Sequence, residues 1–278
     1  LHNGRAVRRV VLDLADAVDE VLGGWVRETV SFVDSEVDRI TPRTTAADVG
    51  TVARLTGLRD DCPVVTEPFS EWVLAGGFPA GRPGWEQAGA LFVDDVTPYE
   101  ERKLWLLNGA HSLLAYAGSI RGHHTVAEAL ADETCAGWMR DWWDEAARHL
   151  DLPEAPVRDY RADLLARFEN PGMRHLLEQI ASDGSQKLPV RVLPVVRAER
   201  AAGRVPDAGG RTLGAWVAHV RGAGAPLTDP RADELRRLAD APLPDAVRRL
   251  LGVLDAALPE DAALVDVVVA HAEELTSR

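Results

Sequence analysis

Lysine occurs at only two positions, Lys103 and Lys187, although Lys and Arg together number 31. An ammonium can lose its proton where a site depresses its pKa, whereas a guanidinium stays charged. The two lysines are therefore where proton-transfer chemistry could reside. Lys103 stands in Thr97-Pro98-Tyr99-Glu100-Glu101-Arg102-Lys103-Leu104-Trp105-Leu106-Leu107-Asn108-Gly109-Ala110-His111. Lys187 stands in Ser182-Asp183-Gly184-Ser185-Gln186-Lys187-Leu188-Pro189. Thr97, Pro98 and Glu100 spell a helix start, with threonine as N-cap, proline in the first position and Glu100 closing a capping box. Lys103 then falls in the second turn, where the helix dipole and burial among apolar neighbours favour the neutral amine. Such an amine suits a general base for an alcohol proton. In an α-helix Asn108 lies about 140° around the axis from Lys103 and His111 about 80°, so all three fit one face. An asparagine amide can donate to a developing alkoxide, and a histidine can orient the amine or hold a substrate hydroxyl. On spacing alone the same triplet also describes an ordinary solvated helix face.

The elements that must position these groups are mostly helical. Asn3 is expected to cap a helix over 5–22, with Gly23-Gly24 interrupting it before a short continuation over 25–30. Residues 31–38 read as extended, and Thr45 to Leu55 as a helix closed by Gly57. Strand signals cluster at 63–67, 71–74 and 90–94, around a Gly/Pro-rich loop over 76–84. After Thr97 helical segments are expected near 98–118, 125–131, 134–150, 156–169, 173–181, 185–200, 211–221, 230–239, 244–256 and 260–276. Gly203 to Gly210 is the best internal linker. Trp138, Trp142 and Trp143 are spaced as core, while His123-His124 read as a polar entry loop. The expected class is mainly α, with a small β element near 63–96.

Composition narrows the function classes. A formal charge of −13 disfavours nucleic acid and anionic membranes as partners. No apolar run approaches the ~18 residues of a membrane span, and no signal peptide is evident. Cys62 and Cys135 lie far apart without ligand spacing, which points to a reduced, cytoplasmic setting and no metal site. No glycine-rich phosphate loop follows a strand, so any nucleotide must be held by another segment.

Lys103-x4-Asn108-x2-His111 after Pro98-Tyr99-Glu100 resembles the signature of the long-chain mannitol dehydrogenase family, which includes mannitol 2-dehydrogenases and fructuronate (mannonate) reductases. Asn3-Gly4, Val37-Asp38-Arg39-Ile40-Thr41-Pro42, Glu67-Pro68-Phe69, Gly81-Arg82-Pro83 and Asp183-Gly184-Ser185-Gln186-Lys187-Leu188-Pro189 agree with it in order. The resemblance implies that residues 1–278 are a multi-helix C-terminal domain, of the 6-phosphogluconate-dehydrogenase-C-terminal-like type. It partners an N-terminal Rossmann domain of the same polypeptide and is inactive alone. The implied reaction is a metal-independent hydride transfer between NAD or NADP and C2 of a hexuronate or polyol.

Roles follow by resemblance. Lys103 is the general acid/base, Asn108 one arm of an oxyanion hole, and His111 a positioning group. Glu100 corresponds to a glutamate that gates a proton path. Val37, Asp38 and Lys187 match substrate-contacting positions. Gln179 stands eight residues before Lys187, where mannitol-specific members tend to carry arginine, so Arg191 or Arg39 is expected to meet a uronate carboxylate. The rival reading is a non-catalytic binding or scaffolding module that keeps the fold.

Overall fold

In the computed structural model residues 2–170 and 172–277 are described. The chain divides into two units, residues 1–101 and 102–278. In the first, α1 (Asn3–Val18) and α2 (Glu20–Thr29) pack through Leu12, Ala15 and Val26. The break between them falls at Asp19, not at the glycine pair. Asp19 adopts an extended backbone and its carboxylate accepts from the Val21 N–H, so a new helix is capped there. Gly23 and Gly24 lie inside α2. Asn3 does not cap α1 either. Its amide donates to the Ser35 carbonyl (2.7 Å) and accepts from the Ser35 N–H (2.9 Å), pinning the helix start to a strand.

That strand, β1 (Asp34–Asp38), runs antiparallel to β2 (Glu71–Ala75), which pairs in parallel with β3 (Ala90–Phe92). Residues 63–67, expected as a strand, are irregular. Their polar groups serve the chain after β1 instead: Glu67 accepts from the Ile40 N–H at 2.5 Å. Between β1 and β2 comes α3 (Ala46–Thr56). Thr45 and Asp48 form its capping box and Gly57 closes it at φ 71°. The Gly/Pro loop folds over an aromatic cluster in which the Arg82 guanidinium lies 3.5 Å from the Phe92 ring centroid.

The helix that begins at Thr97 near the end of the first unit, here α4, continues as the central helix of the second. It is not one α-helix. Thr97–Arg102 is α, Lys103–Gly109 is π, Ala110–Leu113 is α and Leu114–Gly118 is π. Then follow α5 (Val126–Ala131), α6 (Glu133–Ala147), α7 (Glu154–Phe168), α8 (Leu177–Ala181), α9 (Gly184–Arg191), α10 (Leu193–Ala201) and α11 (Asp207–Val220). The last three are α12 (Ala232–Ala239), α13 (Leu243–Leu254) and α14 (Ala262–Thr276). Residues 173–176 are not helical. Leu176 bridges to Thr125, and the His175 carbonyl accepts from Val126. Gly209-Gly210, expected to end a linker, lie in the first turn of α11, which is buried almost all round. Glycine there serves close packing: a Cβ on Gly209 would crowd Val196, and one on Gly210 would crowd Val267. The fold is mainly α with one small sheet.

Candidate active site

The π-run positions Lys103 and Asn108, two of the residues expected to carry the chemistry. A backbone that closes i→i+5 puts Lys103 and Asn108 one turn apart on nearly the same face, whereas an α-helix would separate them by about 140°. Widening a turn leaves carbonyls to be satisfied elsewhere. Two indoles of α6 do so. Trp142 Nε1 donates to the Trp105 carbonyl (2.7 Å) and Trp143 Nε1 to the Leu106 carbonyl (2.8 Å). Gly109 lets the Trp142 ring close on the run, because a Cβ there would sit 2.6 Å from it. Asn108 keeps its side chain half-buried while its carbonyl accepts from Ser112 Oγ at 3.0 Å.

His111 is buried, stacked on Phe168 (ring centroids 4.5 Å) and edge-on to His175 (4.8 Å). Burial, and then the neighbouring His175 and Arg191, hold its pKa well below the usual imidazole range. His175 behaves alike: burial, then Arg191 and Lys187, bring it down to about 4. Both rings are therefore neutral near pH 7. Neither His111 Nε2 nor His175 Nδ1 has a hydrogen-bond partner among the described residues.

Lys187 and Arg191 lie one turn apart on α9. The Lys187 ammonium donates to Ser182 Oγ (3.1 Å) and the Ile180 carbonyl (3.4 Å), with Asp183 Oδ2 at 3.8 Å. Burial and the adjacent Arg191 push its pKa down. Asp183 adopts a left-handed φ of 59°, and its N–H donates to the Thr228 carbonyl. Asp229 accepts from both the N–H and Oγ of Ser185, fixing the start of α9. Gln179 is half-buried on α8.

In the first unit Asp38 is buried at the end of β1, while Val37 is exposed. Strand alternation sends these two side chains to opposite faces. Arg39 is exposed and donates to the Glu67 carbonyl at 3.0 Å. Glu100 does not close a capping box. Asp95 accepts from the Thr97 N–H and hydroxyl, and the buried Glu100 carboxylate accepts instead from the His2 N–H at 3.0 Å.

Among the described residues one cluster has metal-compatible chemistry. His123, Asp132 and Cys135 bring ligand atoms within 4.8 Å of one another. The Asp132 oxygen shared by His123 (3.0 Å) also takes the Arg121 guanidinium (2.5 Å), and its other oxygen caps α6 through Thr134. A cation already holds the carboxylate, so the cluster reads as a helix-cap knot.

Residues 95–276 match the family model described as the mannitol dehydrogenase C-terminal domain. The chain belongs to the mannitol dehydrogenase family. Residues 1–87 match the model of the mannitol dehydrogenase Rossmann domain, so sequence of that domain accompanies the helical one. The Escherichia coli D-mannonate oxidoreductase is 36% identical over 288 residues, covering 100% of this chain and 59% of that protein. An E. coli protein named uncharacterized oxidoreductase YdfI is 42% identical over 80% of this chain and 46% of its own length. The chain thus spans about half the length of the curated relatives it matches. A structure of Pseudomonas fluorescens mannitol 2-dehydrogenase in ternary complex with NAD and D-mannitol superposes with a TM-score of 0.86 at 33% identity. The match covers 99% of this chain and 57% of that one.

Two features of the site escape a family-style reading of the sequence. His175 lies in a stretch that reads as helix, and the π-run leaves no trace in apolar periodicity. The signal for the second was present in Trp142-Trp143, two adjacent indoles that each need a hydrogen-bond acceptor when buried.

Proposed function

We propose that this chain carries the substrate-binding and proton-transferring residues of an NAD(P)-dependent oxidoreductase. It interconverts a secondary alcohol and a ketone at C2 of a hexuronate or polyol. The observation that carries the reading is the π-run that aligns Lys103 with Asn108, on a helix whose next turn holds a neutral, buried His111. The nicotinamide supplies hydride acceptance or donation; the chain's own residues handle the proton. In oxidation the Lys103 amine takes the hydroxyl proton as the C–H bond breaks, and in reduction the ammonium returns it to the carbonyl oxygen. The Asn108 amide donates to that oxygen while it carries developing charge. His111 stays neutral, so it orients substrate without competing for the proton. Lys103 and Asn108 together stabilise the oxygen, and in this reading no metal ion is required. Asp38, Lys187 and Gln179 are assigned to substrate hydroxyls, and Glu100 to the proton path.

No strand, glycine loop and helix of the pyrophosphate-binding kind occurs in the sequence. The nucleotide is therefore assigned to a complementary nucleotide-binding body. The exposed stripe of Val7, Val10, Leu14 and Val18 on α1, continued by Val21 and Trp25 on α2, is the face assigned to dock it. Among the described residues no helix is long and apolar enough to cross a membrane. A cytoplasmic setting is proposed from the two free cysteines.

The test joins the chain to the nucleotide-binding portion of the E. coli D-mannonate oxidoreductase and follows nicotinamide absorbance. Fructuronate and fructose serve for reduction, mannonate and mannitol for oxidation. Turnover on one of these pairs is expected. A folded fusion that binds nicotinamide and turns over none of them overturns the reading.

A further inference from the structure

Arg191 ends α9 with its guanidinium half-buried and without an acid to pair with. Among the described residues its hydrogen bonding consists of one long contact, Nη1 to Ser112 Oγ at 3.4 Å. The nearest acid on its own element's start, Asp183, faces the Lys187 ammonium at 3.8 Å. Asp229 is taken by the Ser185 N–H and hydroxyl (2.9 and 2.7 Å). The other groups that face Arg191 are cationic or neutral: Lys187 one turn back, His175, and His111. Burial pulls the Arg191 guanidinium below its ordinary range, with Tyr116 and Asp183 only partly opposing that. Charged side chains are rarely withdrawn from water without a counter-charge. Elsewhere in this chain arginines of similar burial have one. Arg121 holds Asp132, Arg200 holds Asp261 and Arg211 holds Glu274. Arg191 has no such acid among the described residues, and it stands beside the residues assigned to substrate.

We infer that Arg191, flanked by Lys187 and His175, receives a carboxylate of the substrate, so that the site takes a sugar acid in preference to a neutral polyol. The inference rests on the reading of the site proposed above and deepens it. A planar guanidinium pairs with a carboxylate through two parallel N–H···O bonds, which fixes the orientation of the acid end as well as attracting it. The adjacent ammonium adds to the field. His175 Nδ1, buried and without a partner, lies where an ordered polar ligand would supply one. A polyol hydroxyl in the same place would leave the guanidinium without a counter-charge.

Titration calorimetry on this 278-residue chain tests it, with D-mannonate and D-mannitol as the two probes. The variants are Arg191→Gln and Arg191→Lys. Mannonate is expected to bind at least about tenfold more tightly than mannitol. Arg191→Gln should weaken mannonate by roughly 10–100-fold, the worth of a lost charge-assisted pair, and leave mannitol within a few-fold. Arg191→Lys should recover part of the loss, since it keeps charge without the fork. The mannitol arm, with thermal melts of each variant, separates a binding defect from a folding defect. Equal affinity for the two probes, or equal weakening of both by Arg191→Gln in a folded protein, overturns the inference. Binding of neither probe tells against the sugar-acid and polyol reading itself.

Discussion

His175 and His111 sit face to edge with both rings neutral, and that state has a cost the protein shows in acid. The His175 pKa is about 4 in the folded chain against 6.5 when free, so between those values the unfolded state binds more protons. Stability then rises with pH across that window and is lost as pH falls from about 6.5 towards 4, on the order of 1–3 kcal/mol for this one group. His175→Phe should flatten that part of the profile, read as urea midpoints at pH 7 and pH 4.5. An unchanged difference between the two midpoints would show that His175 is not buried neutral. At this scale much was legible. Two lysines in an arginine-rich chain are conspicuous, and the proposed roles of Lys103, Asn108, His111 and Lys187 start from residue types that sequence displays directly. His175 was not legible, because its neighbours 173–176 carry helix-forming residues, and only pairing with Thr125 draws them out straight.

The element that matters most is the π-run, and it depends on the tryptophans of α6. Replacing Trp142 by Phe keeps the ring in the core but removes the donor to the Trp105 carbonyl. The expected loss is about 1–3 kcal/mol for a buried acceptor left unpaired. If the run then relaxes towards α geometry, Lys103 and Asn108 rotate apart, so kcat should fall more than substrate affinity. Full activity with only lowered stability would separate the π geometry from function. A seven-residue run with four consecutive apolar side chains cannot announce a π-helix, since Leu104, Trp105, Leu106 and Leu107 satisfy either period. The same limit hid the break at Asp19, which is made by one carboxylate's hydrogen bond and not by the conspicuous glycines. Elsewhere α6 and α10 are tied through Glu199, which is fully buried and meets Arg204 (2.7 Å), Arg148 (3.1 Å) and His149 (2.5 Å). Burial opposes its ionisation, but these partners prevail and bring its pKa down to about 2. Its contribution is present above the free carboxylate's pKa and is lost as pH falls towards 2. Glu199→Gln takes from the exposed Arg148 and Arg204 their buried counter-charge and should cost about 1–3 kcal/mol at neutral pH, the worth of a hydrogen bond to a charged group, measurable by denaturant titration. A cost below about 1 kcal/mol would show the network to be solvent-screened.

At the scale of the molecule, the first unit presents seven large apolar residues on α1 and α2 to solvent, Val7, Val10, Leu14, Val18, Val21, Leu22 and Trp25, more than a monomer ordinarily leaves uncovered. The chain by itself is expected to self-associate, and Leu14→Lys with Val18→Lys to make it monodisperse. The same pair should abolish complementation by a separately produced nucleotide-binding portion of the D-mannonate oxidoreductase. A wild-type chain that stays monomeric and does not bind that portion would remove the docking role from this face. The stripe was legible as amphipathic spacing, but which of its residues face a neighbour was not. The helix is apolar on both sides, and Leu12 and Ala15 are the ones its partner α2 covers. The mistaken linker at 203–210 has a related cause, because glycines that admit a neighbouring helix look the same in sequence as glycines that free a loop.

The central claim is that the Lys103 amine moves the proton, and chemical rescue tests it most directly. In the fusion that supplies the nucleotide-binding portion, Lys103→Ala should lower turnover by about 10²–10⁴-fold, with substrate affinity little changed. Added primary amines should restore part of the rate, in proportion to their free-base concentration and increasingly with their basicity. A Lys103→Ala enzyme that keeps its rate within a few-fold, or one that binds substrate normally and ignores every amine, would contradict the assignment.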